Sequence, residues 1–187
     1  MLQTLRNHGN KKSITLNNEF TKDLSWLKKF LPLFNGTSYF EKQHIKDKVF
    51  LDASQIGVGA VYENEVYHFK CPQKFCNANI ATLEMLNILV AVRVWHEKWK
   101  KKCIEIHCDN LTVVNVLNSG KTKDPDLASI SRNIFMETSK NDIDIQVCHV
   151  PGKNNNIANL LSRWETTFNP HENLTKLLPG QISTTHR

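Results

Sequence analysis

No segment of this 187-residue chain approaches the roughly 18 consecutive apolar residues that a membrane-spanning helix needs. The start, MLQTLRNHGNKK, has no apolar run of the kind that directs secretion. An intracellular protein of cytoplasm or nucleus is expected, neither membrane-bound nor secreted. Cysteine is sparse and odd in number: five residues, Cys71, Cys76, Cys103, Cys108 and Cys148, lie mostly within strand-like segments. A disulfide framework is therefore not expected. Cys71 and Cys76 have an unusual spacing for half a zinc site, and no second Cys/His pair completes one. Glycine is also scarce, with seven residues. Gly57 and Gly59 lead from one strand pattern into another rather than into a helix, which removes the geometry of a phosphate-cradling loop.

Charge of one sign is in excess: 24 Lys and Arg against 18 Asp and Glu give a formal charge of +6. Such a balance favours a polyanionic partner. Lys98, Lys100, Lys101 and Lys102 surround Trp99 at the end of a predicted helix, while Lys121, Lys123 and Lys153 fall in predicted loops. These cations are candidates for phosphate contacts, and the first cluster also complements a helix C-terminus. An apolar content of 40% supports one domain of ordinary size with flanking elements.

Along residues 1–45, Phe20, Leu24, Leu27, Phe30 and Leu31 recur at helical spacing, and Pro32 and Asn35-Gly36 end the pattern. The run Val49-Phe50-Leu51-Asp52 reads as a strand ending on an acid. Gly57 to Tyr62 and Glu65 to Phe69 follow as two more strands about a Glu63-Asn64 turn, giving an antiparallel meander. Behind the N-cap Asn79, the residues Leu83, Leu86, Val90 and Val94 predict a long helix from Ile80 to about Trp99. Cys103 to Cys108 is a fourth strand, closed by Asp109. Short and long helices follow over Val113–Leu117 and Pro125–Lys140, then a fifth strand over Ile143–Val147 and a last helix from about Ile157. The order is βββαβααβα: an α/β fold with a five-stranded mixed sheet, three strands antiparallel and two added in parallel. Residues 166–187, with Pro170 and Pro179-Gly180, predict an irregular or disordered tail.

In this order Asp52 and Asp109 close two strands, and Glu84 lies in the second turn of the long helix, at the border of its buried face. Acids brought to one sheet edge from separate elements suit phosphodiester hydrolysis with two Mg²⁺ ions about 4 Å apart. Ser54, Gln55 and Asn110 stand beside the acids and are candidate donors to a nucleic-acid backbone; Asn110 also suits the N-cap of the short helix. His149 suits the end of the fifth strand, and a structural role is expected for His107.

Four segments, LDASQIGVGAVY around Asp52, IATLEMLNILVAVRVW around Glu84, IHCDNLTVVNVLNSGKTKD around Asp109 and HVPGKNNNIANLLSRW at the end, resemble the ribonuclease H domain of retroelement reverse transcriptases. They are most similar to that of DIRS-type tyrosine-recombinase retrotransposons. The lead-in DLSWLKKFLPLFNG looks like the connection between polymerase and nuclease. The resemblance implies a ribonuclease H-like fold over residues 46–165, a helical linker over 1–45 and a partner reverse transcriptase domain in a longer polyprotein. It also implies an endonuclease that cuts the RNA strand of an RNA/DNA hybrid with Mg²⁺, for which Mn²⁺ can substitute. Catalytic and metal-ligand roles carry over to Asp52, Glu84 and Asp109.

The closing motif of these families reads ADxLSR, and here Asn159 stands where the fourth acid is expected. An amide brings no charge, so the second metal is expected to bind weakly and Asn159→Asp to raise cleavage. The alternative reading is a catalytically inactive nucleic-acid-binding remnant of a reverse transcriptase polyprotein. A transposase or exonuclease of the same fold would explain the carboxylates but not the HVPGK…LLSRW ending.

Overall fold

Val49, Leu51 and Ala53 alternate with Lys48, Phe50 and Asp52, so one side of the first strand is fully apolar and buried. The computed structural model, which describes residues 16–33, 46–75, 77–167 and 183–184, builds that strand as β1, Lys46–Ala53. β2, Gly57–Tyr62, and β3, Glu65–Lys70, complete the meander, with Glu63 at φ 52 in the turn between them. β4, Cys103–Cys108, lies parallel to β1, and β5, Asp144–His149, lies parallel to β4. The element order βββαβααβα and the mixed sheet are those expected from the sequence, the strands lie in the order β5-β4-β1-β2-β3, and the fold is ribonuclease H-like. A two-residue parallel addition, β6 at Ser183–Thr184, extends the sheet beside Glu65 and Val66. It lies in the segment expected to be irregular; the rest of 168–187 is outside the described residues.

The chain divides into two units, residues 1–37 and 38–187. In the first, α1 (Asn18–Phe30) is capped by Asn17, whose side chain accepts from the Phe20 N–H at 2.8 Å. The stop signals expected after it are only partly visible, because Asn35-Gly36 lies outside the described residues. Cys76, half of the unusual zinc pair, does so as well.

In the second unit, α2 (Ile80–Trp99) starts at the expected cap: Asn79 Oδ1 accepts from the Ala81 N–H at 3.0 Å. Its middle is buried almost all round because it lies between the sheet and α4 (Pro125–Lys140). Met85, Ile88, Val92, Trp95 and Trp99 face Leu51, Ala60, Tyr62, Ile104 and Ile106 in the main core. α3 (Leu111–Ser119) ends on Gly120 at φ 66, a left-handed position that glycine adopts at little cost. α5 (Asn156–Ser162) covers the opposite face of β2, where Leu161 packs with Val61 and Val66.

The lysine cluster at the end of α2 is partly neutralised within the fold. Lys98 pairs with Glu65, which also accepts from Trp95 Nε1 at 2.9 Å, and Lys102 donates to Asp47 at 2.8 Å. Glu84 lies near the start of α2 and these lysines at its end, about 20 Å apart along the helix axis. They are not part of the acidic edge.

Candidate active site

The parallel pairing of β1 with β4 sets the site, because parallel neighbours bring their C-terminal ends to the same sheet edge. Phe50 pairs with His107, and each strand reaches its acid two residues later, at Asp52 and Asp109. The third acid comes from α2. Glu84 is 1% exposed, deeper than the border position expected from its helical phase, and its Oε1 accepts from the Ala53 N–H at 3.0 Å. Asn87, one turn later and wholly buried, fixes the helix to the sheet: its Nδ2 donates to Asp52 O at 2.8 Å and Gly59 O at 3.0 Å, and its Oδ1 accepts from Tyr67 at 2.7 Å.

Asp52, Glu84 and Asp109 line one open groove of about 590 Å³, together with Ser54, Gln55, Ile80, Asn110, Leu111 and Arg163. Burial pushes the Glu84 carboxyl up to about 9, and the charges of Asp52 and Asp109 add to it; the Ala53 N–H and the Cys108 thiol act against it. Burial likewise raises Asp52 to about 6, opposed by the hydrogen bond from Ser162 and by Arg163, with Asp109 raising it further. Three acids thus share one partly desolvated volume with little local cation to balance them.

The tightest ligand-atom cluster among the described residues joins Glu84, Cys108 and Asp109, all within 4.8 Å of one another. Burial holds the Cys108 thiol well above its usual range, so it stays protonated, and it sits 3.8 Å from Glu84 Oε2 as a donor. A hard divalent cation takes carboxylate oxygens in preference to a neutral thiol. The carboxylates of Glu84 and Asp109, with Asp52 beside them, fit such an ion, since its charge would offset both the burial and the neighbouring charges that raise Glu84. Asp52 stands outside the tightest cluster, and its Oδ2 accepts a hydrogen bond from Ser162.

Asn159 does not line the groove; its Nδ2 donates to Gly152 O at 2.8 Å. The partner is a carbonyl, which can only accept, so the orientation of the amide is fixed by chemistry. Gly152 in turn lies against the site: a Cβ there would stand 3.2 Å from Asp109 Oδ2. Asn159, where the resemblance leads one to expect a fourth acid, therefore anchors the loop that borders Asp109. An aspartate at 159 would face the Gly152 carbonyl without a proton to offer. Asn159→Asp is expected to lower the melting temperature of the metal-free protein by about 3 °C, from a lost hydrogen bond of about 1 kcal/mol. Thermal unfolding in EDTA and again in Mg²⁺ checks this, because an ion bridging the new carboxylate should reverse the loss.

The three polar residues expected to grip a substrate are engaged within the protein. Ser54 Oγ donates to Ser162 O at 2.8 Å, with Gly57 O at 3.2 Å, and accepts from the Ile56 and Gly57 N–H groups, each at 3.1 Å. Gln55 donates to Ala78 O at 3.1 Å. Asn110 caps α3, its Oδ1 accepting from Thr112 N at 3.0 Å and Val113 N at 3.4 Å. His107 stacks on Phe50 at 4.5 Å and contacts Glu105 at 2.9 Å, and His149 is the exposed last residue of β5.

Sequence reasoning did not single out Asn87, Ser162 or Arg163. A signal existed for each: Asn87 is a polar residue one turn after Glu84 in an apolar helix, and Ser162-Arg163 follows Asn159 by one turn in a short helix.

The chain matches no protein-family model and no curated protein. Among solved structures it is similar to RNase H1 from the halophilic archaeon Halobacterium salinarum, at 20% identity over 63% of this chain and 94% of that chain, with a TM-score of 0.49. It is also similar to LC11-RNase H1, isolated from compost by a metagenomic approach, at 16% identity over 62% of this chain and 91% of that one, with a TM-score of 0.44.

Proposed function

We propose that this chain is a retroelement-derived ribonuclease H that hydrolyses the RNA strand of RNA/DNA hybrids with a divalent metal, Mg²⁺ or Mn²⁺. The observation that carries the reading is the meeting of Asp52, Glu84 and Asp109, delivered by β1, α2 and the end of β4, in one groove open to a large ligand. The sequence motifs around these acids and around LLSRW supply the retroelement assignment and the expected reverse transcriptase partner.

Asp52, Glu84 and Asp109 would hold the metal, which supplies a low-pKa water and charge stabilisation for the departing oxygen. The chain's own part is positioning. The Ala53 N–H orients Glu84, the Ser162 hydroxyl orients Asp52, and Gly152 leaves room at Asp109 Oδ2. Arg163, lining the groove beside Asp52, places a cation where a phosphate would otherwise meet only acids.

A second reading, a nucleic-acid-binding remnant without catalysis, is favoured by one observation: the Asn159 amide is turned to Gly152 rather than to the groove. Cleavage of a labelled RNA/DNA hybrid in Mg²⁺ and in Mn²⁺ separates the two. The nuclease reading expects cleavage by the native chain that falls by at least about a hundredfold in Asp109→Asn, since loss of a ligand should exceed the roughly 10–100-fold that outer partners are worth. It also expects a gain in Mg²⁺ from Asn159→Asp. Hybrid binding without cleavage in every variant would establish the remnant.

A further inference from the structure

On the groove around the three acids, several polar side chains are engaged within the protein while two aliphatic ones stand exposed. Ser54, Gln55 and the Asn110 carbonyl already have partners in the protein, as described above. Two large side chains on the same groove do not belong to the core: Ile80 is 42% exposed and Leu111 58% exposed. They are the first residues of α2 and α3, each directly after a capping asparagine, so two helix starts present an aliphatic residue beside the acids. A single exposed aliphatic residue is ordinary. Two on separate elements, flanking a buried acidic centre, form a built feature of the groove.

We propose that Ile80 and Leu111 are specificity-determining residues that bind the sugar faces of a nucleic-acid duplex by apolar contact. This rests on the nuclease reading given above. Sugar carbons are the apolar surface of a nucleic-acid strand, and an A-form-like duplex exposes them in a wide, shallow minor groove that a pair of aliphatic side chains can enter. The narrower minor groove of B-form DNA admits the pair less well. Recognition of this kind reads groove shape, not base sequence. It also differs from phosphate contact in one measurable respect: apolar burial releases no counterions, so it adds nothing to the salt dependence of binding.

The test is fluorescence anisotropy of the full chain with a labelled RNA/DNA hybrid and with DNA duplex of the same sequence, in Ca²⁺, across a range of salt. The double variant Ile80→Ser/Leu111→Ser is expected to lose about tenfold in hybrid affinity, with an unchanged slope against log salt. Its preference for hybrid over DNA should shrink, and Leu111→Met should retain native affinity. Arg163→Ala is the contrast, expected to lower the salt slope by about one. Both replaced side chains are exposed, and a melting temperature held in the double variant confirms that the fold is kept. Unchanged hybrid affinity in the double variant, or a loss accompanied by a reduced salt slope, overturns the inference while leaving the nuclease reading in place. A native chain that binds neither hybrid nor DNA overturns the nuclease reading itself.

Discussion

Gly59→Ala destabilises the protein by about 3 kcal/mol or more, the upper end of what overpacking costs in a core. A Cβ at this position would stand 2.2 Å from Leu161 Cβ and 2.7 Å from both Leu161 C and Ser162 N. Two of these three neighbours are backbone atoms of α5, so no rotamer change relieves the clash. The helix must move off β2, which uncovers Val61 and Val66 and draws Ser162 away from Asp52. Urea unfolding measures the first consequence. The second is a drop in divalent-metal affinity even at temperatures where the variant remains folded, read by Mn²⁺ titration. A variant as stable as the native chain would show that α5 is not seated on the glycine.

Glu84→Gln is expected to have opposite effects on activity and on stability. As a proposed metal ligand, its carboxylate should be needed for cleavage, with a loss of at least about a hundredfold. In the metal-free protein the same carboxylate is a liability. Its folded pKa of about 9 lies above the ordinary 4.5, so between those values the folded chain keeps a proton that the unfolded chain has released. Stability therefore falls as pH rises through that window, and is highest on its acid side. Asp52, raised to about 6, adds the same sign over a narrower range. Each pKa unit corresponds to about 1.4 kcal/mol, and water entering the groove reduces the total, so near pH 8.5 the glutamine variant should exceed the native chain by on the order of 2 kcal/mol in EDTA. Near pH 5 the two should be nearly equal. Denaturant unfolding at both pH values decides the matter; a native chain whose metal-free stability does not fall with pH would mean that Glu84 is not held protonated.

The strands and the long helix were legible because their signals are local. Alternation in Val49–Ala53 and Glu65–Phe69, the cap at Asn79 and the proline at position 125 each act within a few residues. Boundaries moved where tertiary pairing extended an element: β1 begins at Lys46 because Asp47 and Lys48 pair with Ile104 and Glu105. The depth of Glu84 was not legible. Helical phase placed it at the edge of the buried face, but its carboxylate is enclosed by the ends of β1 and β4, against the Ala53 N–H and the Cys108 thiol, and only the assembled fold shows that. The same holds for the lysines near Trp99, whose partners Glu65 and Asp47 are far away in sequence. Asn159 is the sharpest case. Its identity announced a missing charge, whereas the hydrogen bond to Gly152 gives the amide work that an acid could not perform.

The parallel register of β1 on β4 also has a consequence for how the groove comes into being. Asp52 and Asp109 meet only when two strands separated by a hairpin pair and a full helix are joined, and Asp52 takes its hydrogen bond from Ser162, near the end of the described domain. Such non-local contacts raise contact order and place site formation late in folding. During synthesis the meander and α2 emerge well before the residues that complete the acidic edge. A growing chain therefore carries no assembled groove until nearly the whole domain has left the ribosome, and cation affinity should appear in one step with the native fold.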